Sequence, residues 1–159
     1  MVEIIAQKEN QADELIHQGI ELAESGNHAA AHKYFQQAYA LHPTGAKVNA
    51  WLGYTTAIVE NKVGTGMQMC KKAVESGIPD AYFYRNIGKL HLMQKNKRAA
   101  LGAFATGLVF DKGNKAILKE WKTLGFRRKP FLPFLSRENG LNKFLGKLTW
   151  KYAKNKEKK

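Results

Sequence analysis

The chain has one cysteine, Cys70, among 159 residues. A lone thiol cannot make an internal disulfide framework, and so sparing a use of cysteine suits a reducing compartment. No apolar run approaches the roughly 20 residues that cross a bilayer as a helix. The opening MVEIIAQKENQADEL lacks a basic stretch followed by an apolar one, so no secretory leader is expected there, and the expected location is the cytoplasm. Prolines number four, and two of them, Pro130 and Pro133, stand close together. Up to residue 129 only Pro43 and Pro79 interrupt the chain, which leaves long stretches free to be helical. Carboxylates are scarce late in the chain: residues 114–159 hold 3 Asp+Glu against 14 Lys+Arg.

What the chain does contain is a repeat. Gly19, Gly53 and Gly88 are spaced by 34 and 35 residues, and Ala31, Gly66 and Ala100 by 35 and 34. Phe35, Cys70 and Phe104 keep the same register, as do Ala38, Ala73 and Gly107. One extra residue therefore lies in the middle copy, between Gly53 and Gly66, and its expected place is the turn around Asn61, Lys62, Val63 and Gly64. In the first copy Leu15, Gly19, Leu22, Ala31, Phe35, Ala38 and Pro43 stand at the signature positions of a 34-residue helix-turn-helix unit. Over residues 12–113 the chain resembles the tetratricopeptide repeat (TPR) family, with Gln18, Asn49 and Lys112 as departures.

Small and large residues alternate here for a physical reason. Two antiparallel helices approach closely where one offers Gly or Ala and the other fills the space beside it. One hairpin cannot bury its apolar face alone, so hairpins stack into a solenoid. The expected fold is all-α: a short right-handed superhelical solenoid with repeats at about 12–45, 46–79 and 80–113 and a capping helix over 114–124. Residues 1–124 make one domain and 125–159 a basic C-terminal extension. Expected helices run over residues 3–24, from Asn27 to Leu41, Ala46 to Glu60, Gly64 to Glu75, Ala81 to Met93, Lys97 to Phe110 and Lys115 to Leu124, with Pro79 at the start of the fifth.

Charge divides the chain sharply. Residues 1–113 carry 12 Lys+Arg and 10 Asp+Glu, a net of +2, whereas residues 114–159 reach +11. In the extension, Arg127 and Arg128 precede a doubled Pro-Phe-Leu that displays Phe131 and Phe134. An amphipathic helix follows, with Leu141, Phe144, Leu145 and Leu148 on one side and Lys143, Lys147 and Lys151 on the other. Three readings fit: a segment packed back on the repeats, a helix lying on an anionic membrane, or an arm for a protein partner. The arm can also reach a neighbour's groove and make a swapped homodimer. Nucleic acid is disfavoured, since no recognition module is present.

Catalytic constellations are not evident. No nucleophile has a matched base, so the chain is not expected to be an enzyme and no cofactor is expected. His28 and His32 are four apart, a spacing that can place two imidazoles on one metal, but without a third ligand they read as surface histidines and no metal site is expected. Gly64, Thr65 and Gly66 lack the lysine and the strand of a phosphate loop.

The resemblance implies where a partner would sit. The inner-surface positions of the family's first helices fall here on Ile16 and Ile20, then Tyr54 and Ile58, then Tyr82, Arg85 and Lys89, with Asp13, Glu24 and Lys47 alongside. Such a groove suits a peptide with apolar anchors and an acidic group at one end. Ile16 and Ile20 stand where some members use Lys and Asn to hold a C-terminal carboxylate, which disfavours a chaperone-tail clamp. The expected function is a non-enzymatic scaffold or adaptor that joins a larger, membrane-associated complex through its tail. The alternative is a small TPR chaperone for a secreted or assembled client.

Overall fold

The structure is a computed structural model that describes residues 2–124 together with Gly140, Phe144, Leu145 and Lys147. Among these residues every regular element is a helix, seven over the continuous stretch. They are α1 (Val2–Glu24), α2 (His28–Leu41), α3 (Ala46–Val59), α4 (Val63–Glu75), α5 (Ala81–Met93), α6 (Lys97–Phe110) and α7 (Lys115–Thr123). Consecutive helices pair as hairpins, α1 with α2, α3 with α4 and α5 with α6, and α7 packs on α6. The first helices of successive hairpins also meet, α1 with α3 and α3 with α5, so they form one layer and α2, α4 and α6 the other. None of these helices is long and apolar enough to cross a membrane.

Helix starts follow local chemistry. The side chains of Asn27, Asp80, Asn96 and Asn114 each accept a backbone N–H from the first turn they precede. Asp80, rather than the neighbouring Pro79, caps α5. The hairpin turns share one device: Gly26, Asn61 and Lys95 take positive φ, at 91°, 56° and 59°. That device relocates the extra residue of the middle copy. Asn61 follows Gly53 by eight residues, whereas Gly26 and Lys95 follow Gly19 and Gly88 by seven; from the positive-φ residue to Ala31, Gly66 or Ala100 the distance is five each time. The turn is unchanged, and α3 absorbs the insertion in its last turn.

The recurring glycines mark contacts that admit no side chain. A Cβ on Gly19 would lie 2.5 Å from Phe35 Cε1, and one on Gly88 would enter the Phe104 ring. In the middle hairpin the aromatic is replaced by Cys70, and the helices close the gap themselves. Gly53 and Gly66 meet backbone to backbone, a Cβ on Gly53 lying 2.6 Å from the Gly66 carbonyl. Cys70 is buried beside them and donates its S–H to the Ala50 carbonyl at 3.2 Å.

α3 is the centre of the molecule. Eleven of its fourteen residues are buried, because α1, α2, α4 and α5 surround it. The first apolar cluster joins Ile16, Phe35, Trp51, Tyr54 and Leu90 across three hairpins. A second joins the third hairpin to Ile117 and Trp121 of α7, and it includes Leu145 from beyond the continuous stretch.

Candidate functional site at the concave face

The inner layer brings five of the seven expected groove residues into one apolar cluster. Ile16 and Tyr54 are buried in it, and Ile20, Ile58 and Tyr82 are half-buried against it. Trp51 supplies the floor, stacked on Phe35 at 5.9 Å and meeting Tyr54 at 6.2 Å and Tyr82 at 5.9 Å. These side chains are largely spent on holding neighbouring hairpins together. The open surface is therefore narrower than the positions alone imply, with Ile20, Ile58, Tyr82 and Lys89 its accessible members.

Arg85 and Lys89 lie one turn apart on α5, Lys89 over the Tyr54 ring and Arg85 over that of Tyr82. Lys89 Nζ sits 4.6 Å from the centre of the Tyr54 ring, and the Arg85 guanidinium lies 5.8 Å from the Tyr82 ring. Neither cation is left to solvent. Arg85 grips Glu24, the last residue of α1, through both terminal nitrogens, Nη2 donating to Oε2 at 3.2 Å. Glu120 of α7 lies 3.7 Å from Arg85 Nη2 and 3.6 Å from Lys89 Nζ. Glu24 and Arg85 thus bridge α1 to α5 over the top of α3. Tyr54, lying beneath, is only 2 % exposed.

Burial explains the pairing. Arg85 is 6 % exposed, and a buried guanidinium without a carboxylate would forfeit its hydration with no return. Burial, then the nearby Arg85, lowers the proton affinity of Lys89, while Glu120 and Glu24 work the other way. Burial also raises the Tyr54 hydroxyl's pKa well above its ordinary range. His28 meets Tyr54 edge-on at 5.6 Å, and burial with the Lys89 charge lowers its pKa. Two buried polar atoms here have no hydrogen-bond partner among the described residues, Arg85 Nε and His28 Nδ1.

Glu120 is the member that the sequence did not announce. α7 read as a cap through Ile117, Leu118, Trp121 and Leu124, and nothing in that spacing says that its polar side reaches the groove. Glu24 stood among the inner positions, without its partner. His32 is a further departure: it is buried rather than on the surface, with Nδ1 3.0 Å from Thr55 Oγ1 and Nε2 3.0 Å from Glu60 Oε1. Its nitrogens and the Tyr54 contact of His28 lead away from a shared ion, and no group of three metal-ligating side chains occurs among the described residues. Burial pushes the Cys70 thiol up to about 12.

Of the expected tail contacts, Phe144 is half-buried against the second apolar cluster and Lys147 is exposed. Leu145, between them, is 1 % exposed. Arg127, Arg128, Phe131, Phe134, Leu141, Leu148 and Lys151 lie outside the described residues.

No protein-family description matches the sequence, and no curated protein does. Solved structures do match the fold. The TPR domain of Arabidopsis OM64 superposes with a TM-score of 0.57 at 16 % identity, over 74 % of this chain and 96 % of that one. The first TPR of Spaghetti (RPAP3), bound to the HSP90 peptide SRMEEVD, gives 0.56 at 14 % identity, over 73 % and 91 %. MamA gives 0.54 at 16 % identity, over 98 % of this chain and 86 % of its own. Identities this low speak for architecture alone: with three stacked hairpins, small residues at each close crossing and a seventh helix on the end, the chain has the fold of a tetratricopeptide repeat domain.

Proposed function

We propose that the chain is a non-enzymatic interaction protein, a scaffold or adaptor that takes a peptide segment of a partner on its concave face. The observation that carries this reading is the grouping of Tyr82, Arg85 and Lys89 on one side of α5, above an aromatic floor formed by three hairpins. Aromatic and Arg side chains of this kind anchor partners when water is excluded around them. Ile20 and Ile58 offer apolar contact next to them, so the fitting partner is an extended or helical segment with apolar residues and an acidic group. The RPAP3 domain, a similar fold solved with a peptide bound, supports peptide binding as a use of this fold.

The basic extension has a separate role in this reading. It joins the scaffold to a larger assembly with an anionic or acidic surface, membrane included, through cations such as the exposed Lys147. Its net charge is what supports this, since residues 114–159 reach +11.

The test is partner capture from the source cell with the full chain and with a Tyr82→Ala, Lys89→Glu double variant of equal melting temperature. The proposal expects the variant to lose the partners retained by the wild type. Undiminished capture by the variant would overturn the groove reading. A single soluble client at fixed stoichiometry would favour a dedicated chaperone over a scaffold.

A further inference from the structure

We infer that Glu24 and Glu120 act as a built-in latch over the groove, standing in for the carboxylates of an acidic peptide that binds by exchanging with them. This rests on the groove reading above and specifies how that site is controlled.

Four charges meet beside Tyr54 and Tyr82, Glu24 and Glu120 against Arg85 and Lys89, and they balance to zero. They come from α1, α5 and α7, so the closed arrangement straps the first hairpin, the third hairpin and the cap together. Within it Arg85 is the inner member and Glu24 the outer one, while Lys89 and Glu120 are half-buried to the same degree. The Arg85 side chain is 7 % exposed and that of Glu24 39 %. A carboxylate arriving from solvent meets Glu24 first, and Glu24 can turn into water without a large penalty.

The latch is also weakened by its place at helix ends. Glu24 ends α1, and Glu120 lies in the last turn of α7. Helix carbonyls direct negative potential there, so a carboxylate at such a place is less favourable than one presented by a ligand free of that field. Pairing with Arg85 and Lys89 outweighs this disfavour in the closed state, yet a ligand carboxylate would make the same pairs without it. Arg85 Nε has no hydrogen-bond partner among the described residues, so Glu24 and Glu120 leave part of the guanidinium unused. A ligand carboxylate or carbonyl reaching Nε would complete a set of donors that Glu24 and Glu120 do not fill.

Exchange has a mechanical consequence. Once Glu24 leaves Arg85, this side-chain tie from α1 to α5 across α3 is lost, and Arg85 over the Tyr82 ring is free to follow the ligand. An acidic group thus opens the apolar floor for the residues that follow it, and an uncharged apolar peptide has no means of doing so.

The experiment uses an array of heptapeptides in which two glutamates stand among apolar residues, and a matching array with glutamine in their place. The full wild-type chain, Glu24→Gln and Glu120→Gln are titrated on both. Removing one competing charged hydrogen-bond partner should tighten binding of the glutamate peptides about tenfold in each variant, with the glutamine peptides unchanged. Wild-type binding that stays equal or weakens in both variants would overturn the latch and leave the groove reading in place. If neither the wild type nor either variant retains any glutamate peptide, the groove reading falls and the latch with it. Melting curves accompany each titration; should Glu24→Gln melt below the assay temperature, Glu120→Gln decides, because it leaves the Glu24 to Arg85 pair intact.

Discussion

At the scale of single residues the molecule is governed by how closely backbones approach. Gly53 and Gly66 touch through backbone atoms, which cannot rotate away as a ring can. Gly53→Ala or Gly66→Ala should therefore cost at least the roughly 1–3 kcal/mol typical of overpacking, read as a fall in melting temperature. Gly102, inside α6, is the contrasting case, since nothing lies within 4 Å of a Cβ placed there. Gly102→Ala should raise stability by about 0.5–1 kcal/mol through helix propensity and a less disordered unfolded chain. The sequence could show that both positions hold glycine. Only register separates them, because Gly53 and Gly66 recur in the repeat and Gly102 does not. The polar fate of a groove residue was less legible. Arg85 and Lys89 were identifiable as inner positions, but whether they faced water depended on Glu120, which is brought beside them by the packing of an apolar cap.

Elements were the most legible scale. Helix bounds follow from the caps at Asn27, Asn96 and Asn114 and from Gly or Asn in the turns, all local chemistry. The extra residue was misplaced because a turn and a helix end look alike in sequence, whereas the repeated positive φ at Gly26, Asn61 and Lys95 fixes the turn independently. Between α2 and α3 lies a polar tie that periodicity could not foresee. Thr55 Oγ1, which reaches the Trp51 and Leu52 carbonyls at 3.1 and 3.2 Å, also faces His32 Nδ1, and Glu60 takes the other nitrogen. Glu60 is held below its ordinary value of 4.5, first by hydrogen bonding from Lys62 and then from His32. A depressed carboxylate stabilises the fold above its ordinary value and ceases to do so as pH falls through the folded one. Glu60→Gln should thus melt below the wild type at neutral pH, with the gap closing as pH drops below 4.5. A gap that persists in acid would assign the difference to packing.

On the scale of the whole molecule, the neutral body and the basic extension are not independent pieces. Leu145 is fully enclosed with Ile117 and Trp121, so at least one residue of the extension completes the core of the third hairpin and cap. Leu145→Ala should cost about 2–5 kcal/mol, measured by denaturant or heat, through a lost apolar contact and the cavity left behind. Cutting the chain near Phe126 would remove the same side chain, and any loss of partners by such a truncation must be read against its lowered stability. The charge division was plain in the sequence. The packing of Leu145 was one of three open readings, since an amphipathic helix has the same pattern whether it covers its own solenoid, a membrane or another protein.

The account's central claim is that partners bind on the concave face. A photo-crosslinking residue placed at Ile20 or Tyr82, and in parallel at the exposed Lys71 on α4, tests it in the source cell with the full chain. The claim predicts that the Ile20 and Tyr82 positions both crosslink to the same partner and that Lys71 does not. Crosslinks to that partner from Lys71 alone would contradict it and move the interaction to the outer layer.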